Sequence, residues 1–259
     1  MSPLLAAAAW MAERIKINHV SLETRDGRSM WIKRRRPFAA PVLFLANGFF
    51  RAVGSRVQAL NRIEAWQHWE VNCFQQLHGE HYRAFADGPR GVGAEMMPGA
   101  PLSDPLDMAR LTTRMAAAAG RELRRAHNWE CVELGGRWSH GDPHAGNFLY
   151  DPSEDRARLI DFEVMHDRDL SADQRHADDL LTFLQDVIGR VHRDDWVPLA
   201  HAFLEGYDRP EIIPALRPQL FVPRGLPRLW WAVRTAYLPP AELANRLGTL
   251  RASLTLTSV

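Results

Sequence analysis

The stretch "WSHGDPHAGNFLYDPSEDRARLIDFEV", residues 138–164, limits what this chain can fold into more than any other. Two short apolar runs, Phe148–Tyr150 and Leu159–Ile160, flank the turn-forming string Asp151-Pro152-Ser153-Glu154-Asp155. That pattern predicts a β-hairpin. Such a hairpin puts Asn147 at the start of one strand and Asp161 at the end of its antiparallel neighbour. Both then project at the same end of a small sheet, with Asp142 in the loop beside them.

Three explanations compete for the crowding of His140, Asp142, His144 and Asn147 into eight positions. A zinc site accepts imidazole and carboxylate ligands, but His-x-Asp-x-His in a turn is not a standard zinc spacing and no cysteine is near to complete it. A polar turn without chemistry accounts for any one of these residues, yet not for the second acidic position at Asp161. The third explanation uses them all. Asn147 and Asp161 offer hard oxygen ligands of the kind that keep Mg²⁺ partly hydrated and leave room for phosphate oxygens. Asp142, beside them, suits the acceptance of a proton from an attacking hydroxyl, and phosphoryl transfer requires this division of labour.

The spacing Asp142…Asn147 equals that of the kinase catalytic loop, in which four residues separate the aspartate from the asparagine. With Asp161-Phe162-Glu163 behind it, the segment resembles the protein-kinase-like superfamily. His-Gly-Asp-x-His-x-x-Asn and Asp-Phe-Glu look like its atypical, small-molecule side. Relatives there include aminoglycoside and choline phosphotransferases, RIO and UbiB-type kinases, and bacterial lipopolysaccharide kinases of the Kdo/WaaP type. The resemblance implies an α+β, two-lobed fold with a reduced N-lobe over residues 1–95 and a mainly helical C-lobe over 96–259. It also implies ATP and Mg²⁺ as cofactors.

Further roles follow from the resemblance. Lys33, closing the apolar strand "SMWIK", takes the α- and β-phosphates. Its glutamate partner lies on helix 57–78, with Glu70 preferred and Glu64 the alternative. "AEMMPG" resembles the hinge, so the backbone of Glu95 to Met97 faces adenine. Asp179 in "RHADDLLTFL" braces the catalytic loop, with Asp178 as second candidate. His140 supports the loop by packing and hydrogen bonding, and His144 stands near the place of a catalytic-loop lysine that stabilises charge. One departure is marked: residues 1–26 contain no glycine, so there is no glycine-rich loop ahead of Lys33. Phosphates must then be covered differently, or the chain is a degenerate kinase.

Composition narrows the setting. The 259 residues suffice for one large domain or two small lobes, and 46% hydrophobic with 24% charged residues is ordinary for a globular chain. A net charge of +1 gives no global pull towards nucleic acid. Cys73 and Cys131 lack metal-type spacing, which suits a reducing compartment. Residues 1–16 lack the basic start of a secretory signal and read as a helix. No window reaches the length of a membrane span. The expectation is a cytoplasmic protein, touching the inner face of a membrane at its periphery.

Elsewhere, alternation around Asp26-Gly27 predicts a hairpin over 17–33. Helical periodicity runs over 57–78, 106–127 and 172–192. Between Lys33 and the first of these helices, "KRRRPFAAPVLFLANGFFRAVGSR" joins a basic run to apolar and aromatic residues. Basic residues attract anionic head groups or phosphorylated sugars, and the aromatic segment suits an interface. A small-molecule, glycan or lipid-linked acceptor is expected, lipopolysaccharide core included. The competing reading makes the same segment N-lobe core. Rival functions are an atypical protein kinase, a nucleotide-binding pseudokinase scaffold and a UbiB-like ATPase.

Overall fold

The computed structural model describes residues 17–191, 195–228, 231, 235 and 238–256; the helix expected over 1–16 lies outside them. Strands β1 (Asn18–Arg25) and β2 (Arg28–Arg35) pair antiparallel along their whole length. Asp26 and Gly27 between them have φ of 50° and 73°. Left-handed backbone at both central residues lets a two-residue turn match the twist of its strands. The chain continues through α1 (Ala39–Ala52), β3 (Val57–Ala59), α2 (Ile63–His78), β4 (Ala84–Asp87) and β5 (Gly91–Glu95). The sheet order is β1-β2-β5-β4, so Lys33 on β2 faces Val20 on one side and Val92 on the other, in the middle of the sheet.

The helix expected over 57–78 begins only at Ile63. Val57–Ala59 instead pair with β11 (Val164–His166), directly after the Asp161-Phe162-Glu163 string. Available strand partners override local periodicity here. From Ile63 onward the pattern holds: α2 buries Trp66, Trp69, Glu70, Cys73, Phe74 and Leu77, one stripe at helical spacing.

The second half runs through β6 (Ala100–Pro101), α3 (Ser103–Asp107), α4 (Thr113–Ala126), β7 (Glu130–Cys131), β8 (Gly136–Arg137), β9 (Phe148–Asp151), β10 (Arg156–Leu159) and β11. The helices α5 (Ala172–Arg190), α6 (Trp196–Tyr207), α7 (Ile213–Leu216) and α8 (Pro240–Leu256) follow. The helix expected over 106–127 is two helices. Ala109 sits at φ 53°, which no helix continues through, and the Thr112 side chain restarts the ladder by accepting the Met115 N–H at 3.3 Å. The hairpin expected over 148–160 is present, with Phe148 opposite Leu159.

A single contiguous apolar cluster joins Trp69 and Phe74 of α2 to Phe148, Phe162, Phe183, Phe203 and Leu247. This core and the β3–β11 pair both cross the expected boundary at residue 95. Among the described residues, no helix is long and apolar enough to cross a membrane.

Candidate active site

Helix α5 fixes the loop 138–147 from below. Ser171 and Gln174 close a capping box at its start, which sets its first turn. One helical turn further on, fully buried Asp179 accepts the backbone N–H of His140 at 2.7 Å and of Gly141 at 2.8 Å. It also accepts His127 Nε2–H at 2.9 Å, while His127 Nδ1 takes the Tyr207 hydroxyl at 2.8 Å. Burial opposes the charge on Asp179, but His166 beside it and the bond from His127 hold its carboxyl well below the usual range. Two turns along the same face, Asp186 accepts the Ala145 N–H at 2.8 Å. The neighbouring Asp178 faces His166 at 3.3 Å and touches no loop amide.

Gly141 has φ 87°, and a β-carbon there would lie 3.1 Å from Val164 and 3.3 Å from Val57. Only glycine takes this turn comfortably beside the β3–β11 pair. His140 is buried among Trp138 and Phe162. Its Nε2–H donates to the Ile160 carbonyl at 3.0 Å and its Nδ1 accepts the Asp142 N–H at 3.3 Å. Both ring nitrogens are therefore used inside the fold, and burial lowers its pKa, keeping the ring neutral. The His144 Nδ1 accepts the Gly146 N–H at 3.1 Å, and its Nε2 lies 4.0 Å from an Asp142 carboxylate oxygen. With both nitrogens of His140 used in this way, the loop does not offer two histidine ligands to a zinc ion.

Asn147 and Asp161 meet at one end of the hairpin. Ile160 N–H donates to the Asn147 carbonyl at 3.0 Å, and Asn147 Nδ2 donates to the Asp142 carbonyl at 2.9 Å. That leaves Oδ1 as the side-chain acceptor of Asn147. Asp161 sits at φ 68°, a left-handed conformation that costs a non-glycine residue energy and is concentrated at working sites.

Lys33 stands in a cage of three carboxylates. Its Nζ lies 2.6 Å from Asp161, 2.7 Å from Glu70 and 3.0 Å from Glu163. Burial works against the ammonium charge, yet Asp161, Glu163 and Glu70 together raise its pKa well above the ordinary value. Burial and the neighbouring charge of Asp161 push Glu163 up to about 7, while burial of Asp161 is outweighed by Lys33, which holds that carboxyl low. Glu70 also accepts Trp66 Nε1–H at 2.9 Å, one turn earlier on α2, and Glu163 accepts from the Asn18 side chain. Glu64 lies on the exposed side of α2. The three carboxylates have ligand oxygens within 4.8 Å of one another, an all-oxygen set.

At the end of β5, Glu95 N–H donates to the Arg83 carbonyl at 2.8 Å and Met96 N–H to Ser29 at 2.9 Å. The Glu95 side chain pairs with Arg28 at 2.8 Å, and Met97 is buried.

No protein-family model and no curated protein matches the sequence. Among solved structures, the chain is similar to Rv3197 in its complex with erythromycin from Mycobacterium tuberculosis, at 18% identity and a TM-score of 0.43, covering 93% of this chain and 71% of that one. It is also similar to an ethanolamine kinase from Plasmodium vivax, at 10% identity and a TM-score of 0.48, covering 98% of this chain and 85% of that one.

Sequence reasoning missed several groups. Glu163 enters the sequence reading only as part of the Asp161-Phe162-Glu163 string, yet it is the third wall of the lysine cage. Asp186 lies seven positions after Asp179, a spacing that puts both on one helix face. His127 and Tyr207 are far apart in sequence and single, so no local pattern marks them.

Proposed function

We propose that this chain is an ATP- and Mg²⁺-dependent phosphotransferase of two-lobed, kinase-like design, with the lobes dividing near residue 95 and an alcohol as acceptor. One observation carries the reading. The Lys33 ammonium, from the sheet, is bonded at once to Glu70 of α2 and to Asp161 beside the 140–147 loop. Three separate segments thereby bring together charged groups that moving a phosphoryl group demands.

In this reading Lys33 neutralises the α- and β-phosphates and Glu70 keeps it in place. The backbone of Glu95 to Met97 faces the adenine. Asn147 and Asp161 fit a magnesium ion, because amide and carboxylate oxygens are the hard donors it prefers, and Glu163 stands beside them. Magnesium bound there spreads the charge of the phosphates. Asp142 orients the acceptor hydroxyl and takes its proton as that oxygen bonds to the γ-phosphorus and the bond to the β-phosphate oxygen breaks, releasing ADP. His140 positions the loop and His144 lies within reach of the developing charge. Asp179 holds the two loop amides from below.

A cavity of about 290 Å³ shares Val57 with the surroundings of Gly141, while no residue of the 140–147 loop lines it. Asp178, Thr182 and Trp231 line it, as does buried Gln185, whose Oε1 has no hydrogen-bond partner. A volume near the lower end of ligand pockets suits a small molecule or one sugar of a glycan or lipid-linked acceptor such as lipopolysaccharide core.

A second reading, a nucleotide-binding pseudokinase, is favoured by the glycine-free residues 1–26. Thermal unfolding with and without Mg²⁺-ATP, for wild type and Asp161→Ala, tests the nucleotide site; transfer of labelled γ-phosphate to hydroxylated acceptors separates the two readings. Stabilisation that needs magnesium and Asp161, followed by acceptor labelling, is the expected result. Stabilisation without any turnover supports the pseudokinase, and no stabilisation at millimolar nucleotide overturns both.

A further inference from the structure

Helix α1 is an insertion between the lysine strand and α2, and its orientation is fixed. Asn47 holds the edge of β3 with both ends of its amide: Oδ1 accepts the Ala59 N–H and Nδ2 donates to the Ala59 carbonyl, each at 2.8 Å. Ala39 and Leu43 on the same side are buried against Ala59, with Ile17, Phe50 and Val164 packed around them. The opposite face is consequently turned outward. It carries Pro41, Phe44, Leu45, Gly48, Phe49 and Ala52, all exposed, with Phe44 at 69% and Leu45 at 71%. These positions follow i, i+3, i+4, i+7, i+8, i+11, the spacing of a face that normally packs against something apolar.

The segments that carry this face are basic, with Asp178, beside Val53, Gly54 and Phe221, and Asp167, bonded through its N–H to the Arg56 carbonyl, as the nearby acids. Residues 27–63 and 212–241 contain no aspartate or glutamate. Arg36, Arg51, Arg56 and Arg62 form no ion pair among the described residues, whereas Lys33, Arg28 and Arg34 of the same region are all paired. The second acid-free segment meets the end of α1: a β-carbon on Gly54 would lie 3.8 Å from Pro227, and Phe221 and Leu226 nearby are exposed. Apolar side chains rimmed by unpaired arginines match a bilayer surface bearing anionic lipid, where the apolar groups enter the acyl boundary and the guanidinium groups meet head-group phosphates. A second copy of this chain fits poorly, since pairing through this face would set arginines against arginines.

We propose that the outward face of α1, with Phe221 and Leu226 at its edge, docks this protein on an anionic phospholipid surface. The inference does not depend on phosphoryl transfer. The experiment is co-sedimentation of the full chain with vesicles of phosphatidylcholine containing roughly one-third phosphatidylglycerol, against vesicles of phosphatidylcholine alone. Two variants accompany it: Phe44→Ser/Leu45→Ser/Phe49→Ser and Arg36→Gln/Arg51→Gln. All five positions point outward, and the melting temperature of each variant checks that the fold is kept.

Wild type is expected to bind the anionic vesicles, to leave them as salt rises, and to ignore the neutral ones. The apolar variant is expected to bind about tenfold more weakly or worse, and the arginine variant to lose the preference for anionic lipid. Failure of wild type to sediment, or equal binding by the apolar variant, overturns the proposal. So does self-association of the lipid-free protein in analytical ultracentrifugation that the apolar variant abolishes, since the occupant is then a second copy. Magnesium-ATP stabilisation retained in both variants separates loss of docking from loss of the nucleotide site.

Discussion

Asp179 and Asp161 flank the same loop, and their surroundings are opposites. Asp179 is on the buried face of a long helix, fully enclosed, and accepts three hydrogen bonds. Asp161 is at the mouth of a hairpin, has left-handed backbone, and competes with Glu70 and Glu163 for one ammonium. A buried carboxylate with both oxygens hydrogen-bonded fixes geometry, because any movement leaves a buried charge uncompensated. A carboxylate crowded by its own kind is poised for a further cation, because that cation relieves repulsion between the acids. The loop is thus anchored at one end by satisfaction and left with an excess of negative charge at the other.

Substitutions at these two aspartates, with controls around them, test that contrast. The largest change is expected from Asp142→Ala: phosphoryl transfer falls roughly a hundred- to ten-thousand-fold in a steady-state assay, while stabilisation by Mg²⁺-ATP survives. Next comes Asp179→Ala, which leaves two loop amides and His127 without their acceptor and costs about 3–5 kcal/mol in urea unfolding. Acid should act on the same anchored side. His78 and His176 are pushed down by burial to about 4 and about 2, and His127 and His140 are lowered by burial too, all from 6.5. The folded state therefore keeps these rings neutral while the unfolded chain takes up protons below pH 6.5. Their contribution is fully present above pH 6.5 and declines as pH falls towards about 4, so melting temperatures recorded across that range should drop steadily. By contrast, Asp161→Asn should change stability by less than about 1 kcal/mol, since Glu70 and Glu163 still hold Lys33, yet it should remove the magnesium-dependent part of the nucleotide effect. An Asp161→Asn chain as unstable as Asp179→Ala would erase the distinction. Glu64→Gln, on the exposed side of α2, is expected to stay within about 0.5 kcal/mol of wild type and to keep activity.

The crowded side of this contrast was the easier to read from sequence. Asp142, Asn147 and Asp161 announce themselves through fixed spacing and a hairpin signal, because all three belong to one supersecondary unit. Glu70 is preferred over Glu64 in the sequence as the acid one turn before the apolar face, and the structure buries it on the stripe with Trp66 and Trp69. The anchoring side was mostly hidden: His127, His176 and Tyr207 come from three helices, and their stacking and bonding exist only after α4, α5 and α6 pack. The His127 and His176 rings, 3.8 Å apart, have no sequence signature at all. Two boundary errors share that cause. Val57–Ala59 became a strand because β11 was there to receive it, and the break at Ala109 is a left-handed alanine that no propensity scale singles out. The outward face of α1 is a third case. Its apolar composition was plain, but only the Asn47 clasp on β3 decides which half of the helix meets solvent.

The left-handed backbone at Asp161 also bears on how such a site decays over generations. Asparagine and glycine accept this conformation readily, and each is reached from an aspartate codon by a single-nucleotide change; valine is equally near in the code but is disfavoured there. If Asp161 holds magnesium as proposed, loss of that charge can therefore arrive without loss of the fold. The mutational paths that silence this chain and those that unfold it part at one residue, and lineages that abandoned catalysis should carry Asn or Gly at position 161.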